Sequence, residues 1–600
     1  MRYQPIENYG VVGDLHTVAL VGMDGSIDFM CFPEFDSPTI FAALLDAERG
    51  GRFKIAPVMD DVQHKQFYMP DSVILLTRFL SRDGVAEVSD FMPVNELGHA
   101  HDLVRRAKTV RGHVRFRMIC DPRFDYGRAR HRVENKDKEV LFISEGADGA
   151  VLRLRSGVPV RIEEGAAVAE FELGSEESVG FVLEDASGGD LSPSSAPEYI
   201  PQSFKETMNV WQRWIGRCRY RGRWREMVNR SALTLKLLTS ARHGSLLAAP
   251  TFGLPEEIGG VRNWDYRYTW IRDASFTLYA LMLLGYTEEA TAFMRWIEER
   301  CRELEPGNPL QVMYRIDGGR ELSETMLDHF EGYKRSRPVR IGNDAHKQLQ
   351  LDIYGELLDS VYIYNKREPI SYDFWTHLVL LVNWVVDNWR RADEGIWEVR
   401  AGPQEFLYSR VMCWVAIDRG VRLAMKRSFP APLERWISVR DEIYRDIYDN
   451  FWNPELGTFA QYKGGDAVDA SALLMPLVKF IGPNDPRWQS TLKVINERLV
   501  EDSLVYRYNR MKGLDDGLPG HEGTFSMCSF WNVECLARAG DLKQARFYFE
   551  KTLGYANHLG LYAEELGLRG EQLGNFPQAF THLSLISAAH YLDKTLETDN

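Results

Sequence analysis

The sequence predicts a multidomain β + α protein, in which an antiparallel β-sandwich precedes a large all-helical domain. Three observations support this prediction. The chain has 600 residues, more than one ordinary hydrophobic core accommodates. Up to about residue 183, apolar and polar residues alternate between frequent turns, which is typical of short strands. After Arg221 the apolar spacing takes the period of a helix, and strand signals nearly vanish.

The first part of the chain contains several β-prone runs. Asp24-Gly25 stands between two of them, and this dipeptide is a hairpin signal. Many short strands joined by regular turns favour a sandwich. The predicted strands are 17–21, 26–30, 73–80, 114–118 and 168–173.

A stretch rich in Ser, Gly and Pro, 188–201, predicts the domain boundary. We therefore divide the chain into a β-sandwich domain (1–200), a helical linker (201–222, with a helix from Phe204 to Cys218) and a helical domain (223–600). No short repeat period is evident, so an α/α toroid or a long bundle is favoured over a solenoid. Helices are predicted to begin near Trp224, Arg272, Thr287, Lys347, Tyr372, Gln404, Leu433, Asp469, Trp488, Thr524, Leu542 and Gln578.

Composition excludes several classes of function. The net charge of −14 is spread without long runs, which argues against a nucleic-acid partner. Seven cysteines without CxxC spacing disfavour a disulfide framework or a zinc site and predict a cytoplasmic, reducing location. Neither a secretory signal nor an apolar run that could span a bilayer is visible, so we expect no membrane partner. Phosphate-loop, dinucleotide and nucleophile-elbow motifs are missing.

Two acidic segments carry the strongest chemical signal. Trp397-Glu398 places a carboxyl group beside an aromatic ring, with Arg400 two residues later. A partly desolvated carboxyl group suits acid catalysis. The bland alternative is an exposed acid at a helix end. The second segment, 562–565, has two adjacent glutamates near several glycines. Two distant carboxylates brought together by a fold are the working parts of a glycosidase.

The densest mixture of aromatic and charged residues is 263–273, which ends in Arg272-Asp273. An apolar core tolerates so many polar groups only when all are paired. The segment therefore favours a ligand-binding loop over a merely capped helix. Aromatic faces and bidentate polar groups both suit sugars.

Two further segments leave alternatives open. Between Lys334 and Arg340 four cations fall within seven residues, which fits an exposed loop or a phosphate pocket equally well. His521-Glu522 lacks the second histidine of a zinc protease motif, so we expect no metal there. Glu522 is read as a helix-start acid, with a role in the site as the alternative.

Together these segments resemble glycoside hydrolase family 15, which includes glucoamylases, glucodextranases and microbial trehalases. Segment 263–273 is similar to the glucose-gripping segment of the family, Trp397-Glu398 to its general-acid segment and Tyr506-Arg507-Tyr508 to a substrate-binding strip. Segment 563–573 resembles its general-base segment, and 9–38 resembles the β-domain of the trehalase-like branch.

The resemblance implies an N-terminal β-sandwich, an (α/α)6 barrel and inversion at the anomeric carbon. Glu398 would be the general acid and Glu564 the general base, with Glu565 as second choice, separated by about 6.5–9.5 Å. It implies neither a cofactor nor a metal. The implied substrate-binding residues are Trp264, Tyr268, Trp270, Arg272, Asp273, Trp397, Arg400, Arg507 and Tyr562.

The expected function is that of an inverting, exo-acting α-glucoside hydrolase. Its partner is a small α-glucoside or α-glucan, and the sequence leaves open whether the chain forms a homo-oligomer. Trehalase activity is favoured by the N-terminal resemblance. The alternatives are glucoamylase-like or α-1,6-glucan hydrolysis, a phosphorylase or epimerase, and a catalytically silent sugar-binding protein.

Overall fold

The computed structural model describes residues 3–94, 101–187, 193–196, 198–304, 309–508 and 516–598. Its first part consists of two antiparallel sheets of eight strands each. The strands of the first sheet are Tyr9–Gly13, Val18–Gly22, Ser26–Cys31, Thr39–Phe41, Arg52–Pro57, Val114–Asp121, Arg161–Glu163 and Ala166–Leu173. Those of the second are Gln63–Tyr68, Leu75–Leu80, Val85–Phe91, Leu103–Arg111, His131–Asn135, Glu139–Ser144, Val151–Ser156 and Ser178–Asp185.

Alternation of side chains explains how these strands form a core. Along Val114–Asp121, Phe116 and Met118 are buried, whereas Arg115 and Arg117 face solvent. Successive residues of a strand point to opposite faces, so this pattern commits one face to the interior. All five predicted strand regions contain strands, and the antiparallel β-domain is confirmed.

The Asp24-Gly25 hairpin is also present. Gly25 has a φ of +78° and lies against the carbonyl oxygen of Ile55. A side chain would be strained in that conformation and would clash with this oxygen. The turn joins the adjacent antiparallel strands Val18–Gly22 and Ser26–Cys31.

A connecting helix, Tyr199–Gly216, starts before the predicted Phe204. Part of the predicted boundary stretch, residues 188–192 and 197, lies outside the described residues. The helix docks on the helical domain through Trp214, which stacks on Tyr286 with ring centroids 4.0 Å apart. Its Nε1 also donates a 2.6 Å hydrogen bond to Glu289.

The described residues after this helix are mainly helical, and their helices form two concentric layers. The inner segments are Ala274–Leu284, Asp352–Tyr364, Leu407–Arg427, Ala470–Leu473 with Leu474–Leu477, Ser526–Arg538 and Ala579–Thr598. Each packs against the next, and the last packs against the first, which closes a ring. The outer helices, one beside each inner segment, are Arg225–Leu237, Thr287–Arg302, Tyr372–Asn388, Leu433–Asn450, Pro486–Arg498 and Leu542–Leu553.

The predicted helix near Asp469 is the one that differs most from expectation. It is a 3-10 turn, Ala470–Leu473, followed by a helix of four residues, Leu474–Leu477. Asp469 caps the turn by accepting a hydrogen bond from the Ser471 backbone N–H. Pro476 lacks a backbone donor, so a longer helix is disfavoured at this point.

Strand structure does not vanish in the helical domain, contrary to the sequence expectation. Short antiparallel ladders occur in the loops that connect the helices, and several lie at the functional site. The ladders nearest that site pair Phe252–Pro255 with Asn263–Asp265, Thr269–Trp270 with Met313–Tyr314, Thr325–Met326 with Arg340–Ile341, and Thr524–Phe525 with Glu565–Leu566 and Gln572–Leu573. The apolar runs were too short to signal strands.

Among the described residues, no helix combines the length and the apolar character that crossing a membrane requires.

Candidate active site

A pocket opens at the end of the ring where inner helices begin. Arg272 and Asp273 directly precede Ala274–Leu284, and Phe525 directly precedes Ser526–Arg538. The short ladders hold the connecting loops across this end. The pocket brings together nine of the residues predicted from sequence: Trp264, Trp270, Arg272, Asp273, Trp397, Glu398, Arg400, Arg507 and Glu564.

Glu398 lies in one wall of this pocket, held by two donors. Its Oε1 accepts a 2.7 Å hydrogen bond from Trp270 Nε1 and a 3.2 Å hydrogen bond from Arg272 Nη1. Its side chain is 19% exposed, so it reaches the cavity while remaining largely shielded from solvent. Both donors contact Oε1, which leaves Oε2 to meet a ligand.

The backbone at Glu398 is left-handed, with a φ of +57°. A non-glycine residue in this region costs free energy and persists only where surrounding contacts impose it. Here the Glu398 backbone N–H bonds the carbonyl oxygen of Gly395, and Gln348 Nε2 donates to the carbonyl of Glu398 at 3.2 Å. Strain of this kind concentrates at functional sites.

Arg272 and Asp273 belong to the same wall of the pocket as Glu398. Arg272 Nε donates to Asp273 Oδ1 at 3.1 Å, and Arg272 Nη1 also donates to the carbonyl of Ile396 at 3.0 Å. Burial raises the pKa of Asp273, and the neighbouring guanidinium opposes the shift. The pair is thus a fixed polar group in the pocket lining.

Glu564 lies in a second wall. Tyr266 donates a 2.6 Å hydrogen bond to Glu564 Oε1, whereas the buried Oε2 has no hydrogen-bond partner among the described residues. Burial, and then the charge of Glu256, raise the pKa of Glu564, although the hydrogen bond from Tyr266 opposes this shift. An unpartnered buried oxygen is costly unless it meets water or a ligand.

Gly574 permits this arrangement. It has a φ of +73°, and a Cβ at this position would lie 2.6 Å from Glu564 Oε2. A side chain would therefore be strained in itself and would displace the carboxylate. The sequence signal for this feature was the glycine-containing segment after the paired glutamates.

Two aromatic rings join the two walls. Tyr266, which contacts Glu564, packs edge-to-face against Trp270, which contacts Glu398. Their ring centroids are 5.4 Å apart with an interplanar angle of 69°. Both carboxylates are therefore hydrogen-bonded to one packed aromatic pair, whose members, Tyr266 and Trp270, are four residues apart in the sequence.

Glu565 does not line the pocket. It lies in the strand Glu565–Leu566, and its Oε2 accepts a 2.6 Å hydrogen bond from the Gly523 backbone N–H. Adjacent residues of a strand point to opposite faces, which explains why Glu564 and Glu565 diverge. A carboxylate oxygen of Glu565 lies within 4.8 Å of oxygens of Glu256 and Glu522.

Two buried arginines offset the charge of this carboxylate cluster. Arg507 forms an ion pair with Glu522, and Arg262 lies 3.8 Å from Glu256 and 3.6 Å from Glu522 while it donates hydrogen bonds of 2.7 and 3.0 Å to Asp516. The desolvation of Glu256 and Glu565 raises the pKa of both groups. The cluster therefore retains protons at a higher pH than exposed carboxylates would. Glu522 ion-pairs at the site and does not cap the helix Ser526–Arg538, whose N-cap is Phe525.

Two predicted substrate-binding tyrosines lie outside the pocket, which corrects the sequence expectation. Tyr268 is buried and donates a 3.0 Å hydrogen bond to Asp265. Tyr562 is completely buried, donates to the carbonyl of Thr552 at 3.1 Å and packs against Phe530. Both rings pack in hydrophobic cores and do not face the pocket. The sequence places these tyrosines near the site but does not indicate which way each ring points.

The indole of Trp264 lies at the pocket rim beside two guanidinium groups. Those of Arg400 and Arg340 lie 4.5 and 4.8 Å from its ring centroid. Glu324 joins the two cations, at 3.1 Å from Arg400 Nη2 and 2.9 Å from Arg340 Nε. Trp264 Nε1 donates to Glu256 at 2.9 Å. These contacts hold the indole and Arg400 in fixed positions.

The basic segment between Lys334 and Arg340 is divided between two places. Only Arg340 reaches the rim of the pocket that Glu398 and Glu564 line, where it lies against Trp264. Lys334 and Arg335 line a separate cleft with Tyr3 and Glu331. The four cations do not converge on one anion site, which weakens the phosphate-pocket alternative.

Sequence reasoning did not select several residues that complete the pocket: Glu256, Arg262, Tyr266, Asn343, Asp516 and Phe580. Tyr266 lies inside the 263–273 segment and was the easiest of these to find. Glu256 and Asp516 have no motif of their own and reach the site only because distant loops meet.

Comparison with known proteins gives a consistent result. A family model described as glycosyl hydrolases family 15 matches residues 222–590, and one described as trehalase-like, N-terminal matches residues 1–207. A trehalase of Mycobacterium tuberculosis is 38% identical over 628 residues, which cover 100% of this chain and 91% of that protein. A trehalase of Thermoplasma acidophilum is 36% identical, with 96% of this chain and 98% of that protein covered.

Among solved structures, this chain is similar to a bacterial glucoamylase determined in complex with acarbose. The TM-score is 0.72 at 13% sequence identity, and the match covers 100% of this chain and 96% of the other. This likeness concerns the fold. It confirms the expected order of an antiparallel β-domain followed by an (α/α)6 barrel, as does the closed double ring of helices.

Proposed function

The chain belongs to glycosyl hydrolases family 15 and is a glycoside hydrolase, and from this premise we propose that it hydrolyses α,α-trehalose to two molecules of glucose. The two relatives described above are named trehalases and match along nearly the whole chain, including the N-terminal domain. One structural observation carries the mechanism: Glu398 and Glu564 face the same pocket from two walls that the Tyr266–Trp270 pair joins.

Glu398 is the proposed general acid. With its Oε1 held by Trp270 and Arg272, its Oε2 would carry the proton that passes to the glycosidic oxygen. The bond between that oxygen and the anomeric carbon then breaks, and the departing glucose keeps the bonding electrons and the new proton. A positioned acid of this kind contributes about 10²–10⁴-fold to the rate.

Glu564 is the proposed general base. Its unpartnered Oε2 would accept a proton from a water molecule while the oxygen of that water attacks the anomeric carbon from the opposite face. Tyr266 holds the other oxygen, Oε1, so the carboxylate cannot turn away from the water. Glu565 is the second choice, and its position outside the pocket supports Glu564 over it.

The remaining pocket residues are proposed to bind the two glucose units. Arg272 and Asp273 would hold hydroxyl groups of the ring under attack. Trp397 and Arg507 line the same pocket, where Trp397 Nε1 donates a 2.9 Å hydrogen bond to Asp469. Trp264 and Arg400, at the rim, would contact the departing glucose.

A substrate panel tests this proposal most directly. Trehalose, maltose, isomaltose, maltotriose and starch are offered at equal concentration, with and without added phosphate. We expect trehalose to have the highest kcat/KM, with free glucose as the sole product and no dependence on phosphate as a reactant. Preference for maltotriose or isomaltose would identify a glucoamylase-like or α-1,6-glucan activity instead. Formation of a sugar phosphate would identify a phosphorylase, and binding without turnover a silent relative.

Stereochemistry tests the mechanism within the same reaction. Inversion converts trehalose into one β-glucose, from the ring under attack, and one α-glucose, from the departing ring. Proton NMR of fresh product should therefore show equal amounts of both anomers before they interconvert. Two α-glucose molecules would mean retention and a different mechanism.

Two further features belong to the same proposal. We place the enzyme in the cytoplasm, where a pool of small sugars and a reducing medium suit its seven buried, unpaired thiols. We also propose the domain division at 1–200, 201–222 and 223–600, which agrees with the change from strands to helices along the chain.

A further inference from the structure

Three loops of the β-domain bring two histidines and a glutamate together, away from the catalytic pocket. His16 lies between the strands Tyr9–Gly13 and Val18–Gly22, Glu34 follows Ser26–Cys31, and His101 precedes Leu103–Arg111. One ring nitrogen of each histidine and one carboxylate oxygen of Glu34 lie within 4.8 Å of one another. All three side chains are partly exposed, so the group is reachable from solvent.

Asp14 sets the protonation pattern of His101. Its Oδ1 accepts hydrogen bonds of 2.9 Å from the backbone N–H groups of His16 and Thr17, which fixes the carboxylate. Its Oδ2 lies 2.8 Å from His101 Nδ1. A carboxylate at that distance holds the proton on Nδ1 and leaves the Nε2 lone pair free. A carboxylate behind a histidine is the usual support of a metal-binding imidazole.

His16 contributes the second observation. Its Nδ1 is buried and makes no hydrogen bond among the described residues, and the nearest carboxylate oxygen, Glu34 Oε2, is 3.7 Å away. A buried polar atom without a partner needs one. The distance is too long for a hydrogen bond but suits two atoms that share a third between them.

We propose that His16, Glu34 and His101 form a binding site for a divalent first-row transition metal, of which Zn²⁺ is the working example. Two imidazoles and one carboxylate, with a position left for water, form a ligand set that such metals accept at about 2.0–2.2 Å per bond. Hard cations such as Mg²⁺ prefer oxygen ligands throughout. The sequence predicted no metal, because these ligands come from three separate loops and have no motif spacing.

The location indicates what the metal does. Next to His16, the carbonyl of Leu15 accepts a 3.0 Å hydrogen bond from the Ala241 backbone N–H in the helical domain. Arg242 of the same domain lies 4.0 Å from Glu34. A metal that ties the three loops together would stiffen this contact between the domains. It would stabilise the folded protein and leave the catalytic pocket, which none of the three residues lines, unchanged.

Zinc titration tests the proposal. The full-length, tag-free protein is first treated with a chelator and dialysed. We expect one Zn²⁺ to bind per chain and the Tm to rise with free zinc, since a ligand that binds only the folded state stabilises it. Co²⁺ in the same site should give the intense visible absorption of a four-coordinate ion. MgCl2 at the same concentration should produce neither effect.

Substitutions assign the site. Glu34→Gln, His16→Gln and His101→Gln should each weaken zinc binding at least tenfold, and Asp14→Asn should weaken it less. His377→Gln, in the helix Tyr372–Asn388, is the matched control and should leave zinc affinity unchanged. A zinc-free Tm near that of the parent shows that a variant is folded. If Glu34→Gln, folded by this criterion, binds zinc as tightly as the parent, the assignment is wrong. If the parent itself shows no saturable zinc binding and no Co²⁺ absorption, the site does not exist.

Discussion

The two walls of the catalytic pocket present the same functional group in opposite surroundings. In what we term the acid wall (Trp270, Arg272 and Glu398), a guanidinium and an indole N–H contact the carboxylate. In the base wall (Tyr266, Glu256 and Glu564), a tyrosine hydroxyl holds the carboxylate, and the largest effect of a neighbouring charge on its pKa comes from Glu256. Among the described residues, Glu398 forms an ion pair with a cation and Glu564 does not.

This difference shows that local charge alone does not assign the catalytic roles. A base must be ionised, yet burial and Glu256 raise the pKa of Glu564. The charges of Arg507 and Arg272, which lower this pKa, must therefore offset the effect of burial and of Glu256 before Glu564 can accept a proton.

The largest effect is expected in the acid wall. Glu398→Gln cannot donate a proton, and a sugar is a poor leaving group without one. We expect kcat for trehalose to fall toward the upper end of the range of about 10²–10⁴-fold, with little change in KM. Glu368→Gln, an exposed carboxyl group, is the control. Near-normal turnover of the Glu398 variant would remove this residue from the acid role.

The base wall offers an internal control, because two adjacent buried glutamates point to different places. Glu564→Gln should lower kcat by about 10²–10³-fold, since the attacking water then lacks a base. Glu565→Gln keeps an oxygen for the Gly523 N–H and should cost much less. Steady-state kinetics on both variants decide whether Glu564 or Glu565 is the general base. The reverse order would move the base by one residue.

The pH profile should respond in opposite directions to two changes in the base wall. Glu564 acts when ionised, so activity rises with pH through its pKa. Tyr266→Phe removes a hydrogen bond that lowers this pKa, so the acidic limb of kcat/KM should move to higher pH, with about a tenfold loss of rate.

Glu256→Gln removes a charge that raises the same pKa, so its acidic limb should move to lower pH. Each limb is compared with that of the parent enzyme over the full pH range. Two shifts in the same direction would mean that a group other than Glu564 controls the limb.

The smallest effect is expected at the rim. Glu324→Gln weakens the link between Arg340 and Arg400, which is worth about 1 kcal/mol for a partly exposed pair. KM for trehalose should rise up to about fivefold with kcat nearly unchanged. An aryl α-glucoside, whose leaving group is not a sugar, should be less affected. Glu321→Gln, an exposed neighbour, is the control.

Periodicity made most of the fold predictable. The strand Val114–Asp121 alternates buried and exposed side chains, and the helix Thr287–Arg302 buries Ala290, Phe293, Met294 and Ile297 at helical spacing. The helix near Asp469 was overestimated, because apolar spacing does not register the effect of Pro476 on its length. The short ladders at the pocket were missed, because two-residue strands have no period to detect.

The site was predictable where neighbours in sequence are also neighbours in space. Arg272 and Asp273 directly precede a helix, and Glu398 directly follows Trp397, whose aromatic side chain marks the segment in the sequence. Which side chains turn inward was not predictable: Tyr266 faces the pocket and Tyr268 faces Asp265, although both lie in one aromatic segment. Glu256 and Glu564 line one pocket only because the fold brings distant loops together, and His16, Glu34 and His101 likewise come together from separate loops.

The measurement that most directly tests the central claim, Glu398 as acid and Glu564 as base, compares two substrates in two variants. α-Glucosyl fluoride has a leaving group that departs without protonation, whereas trehalose needs an acid. The account predicts that Glu398→Gln retains much of its rate on the fluoride while losing trehalose hydrolysis, and that Glu564→Gln loses both. If Glu564→Gln retains the fluoride reaction and Glu398→Gln does not, the two roles are exchanged.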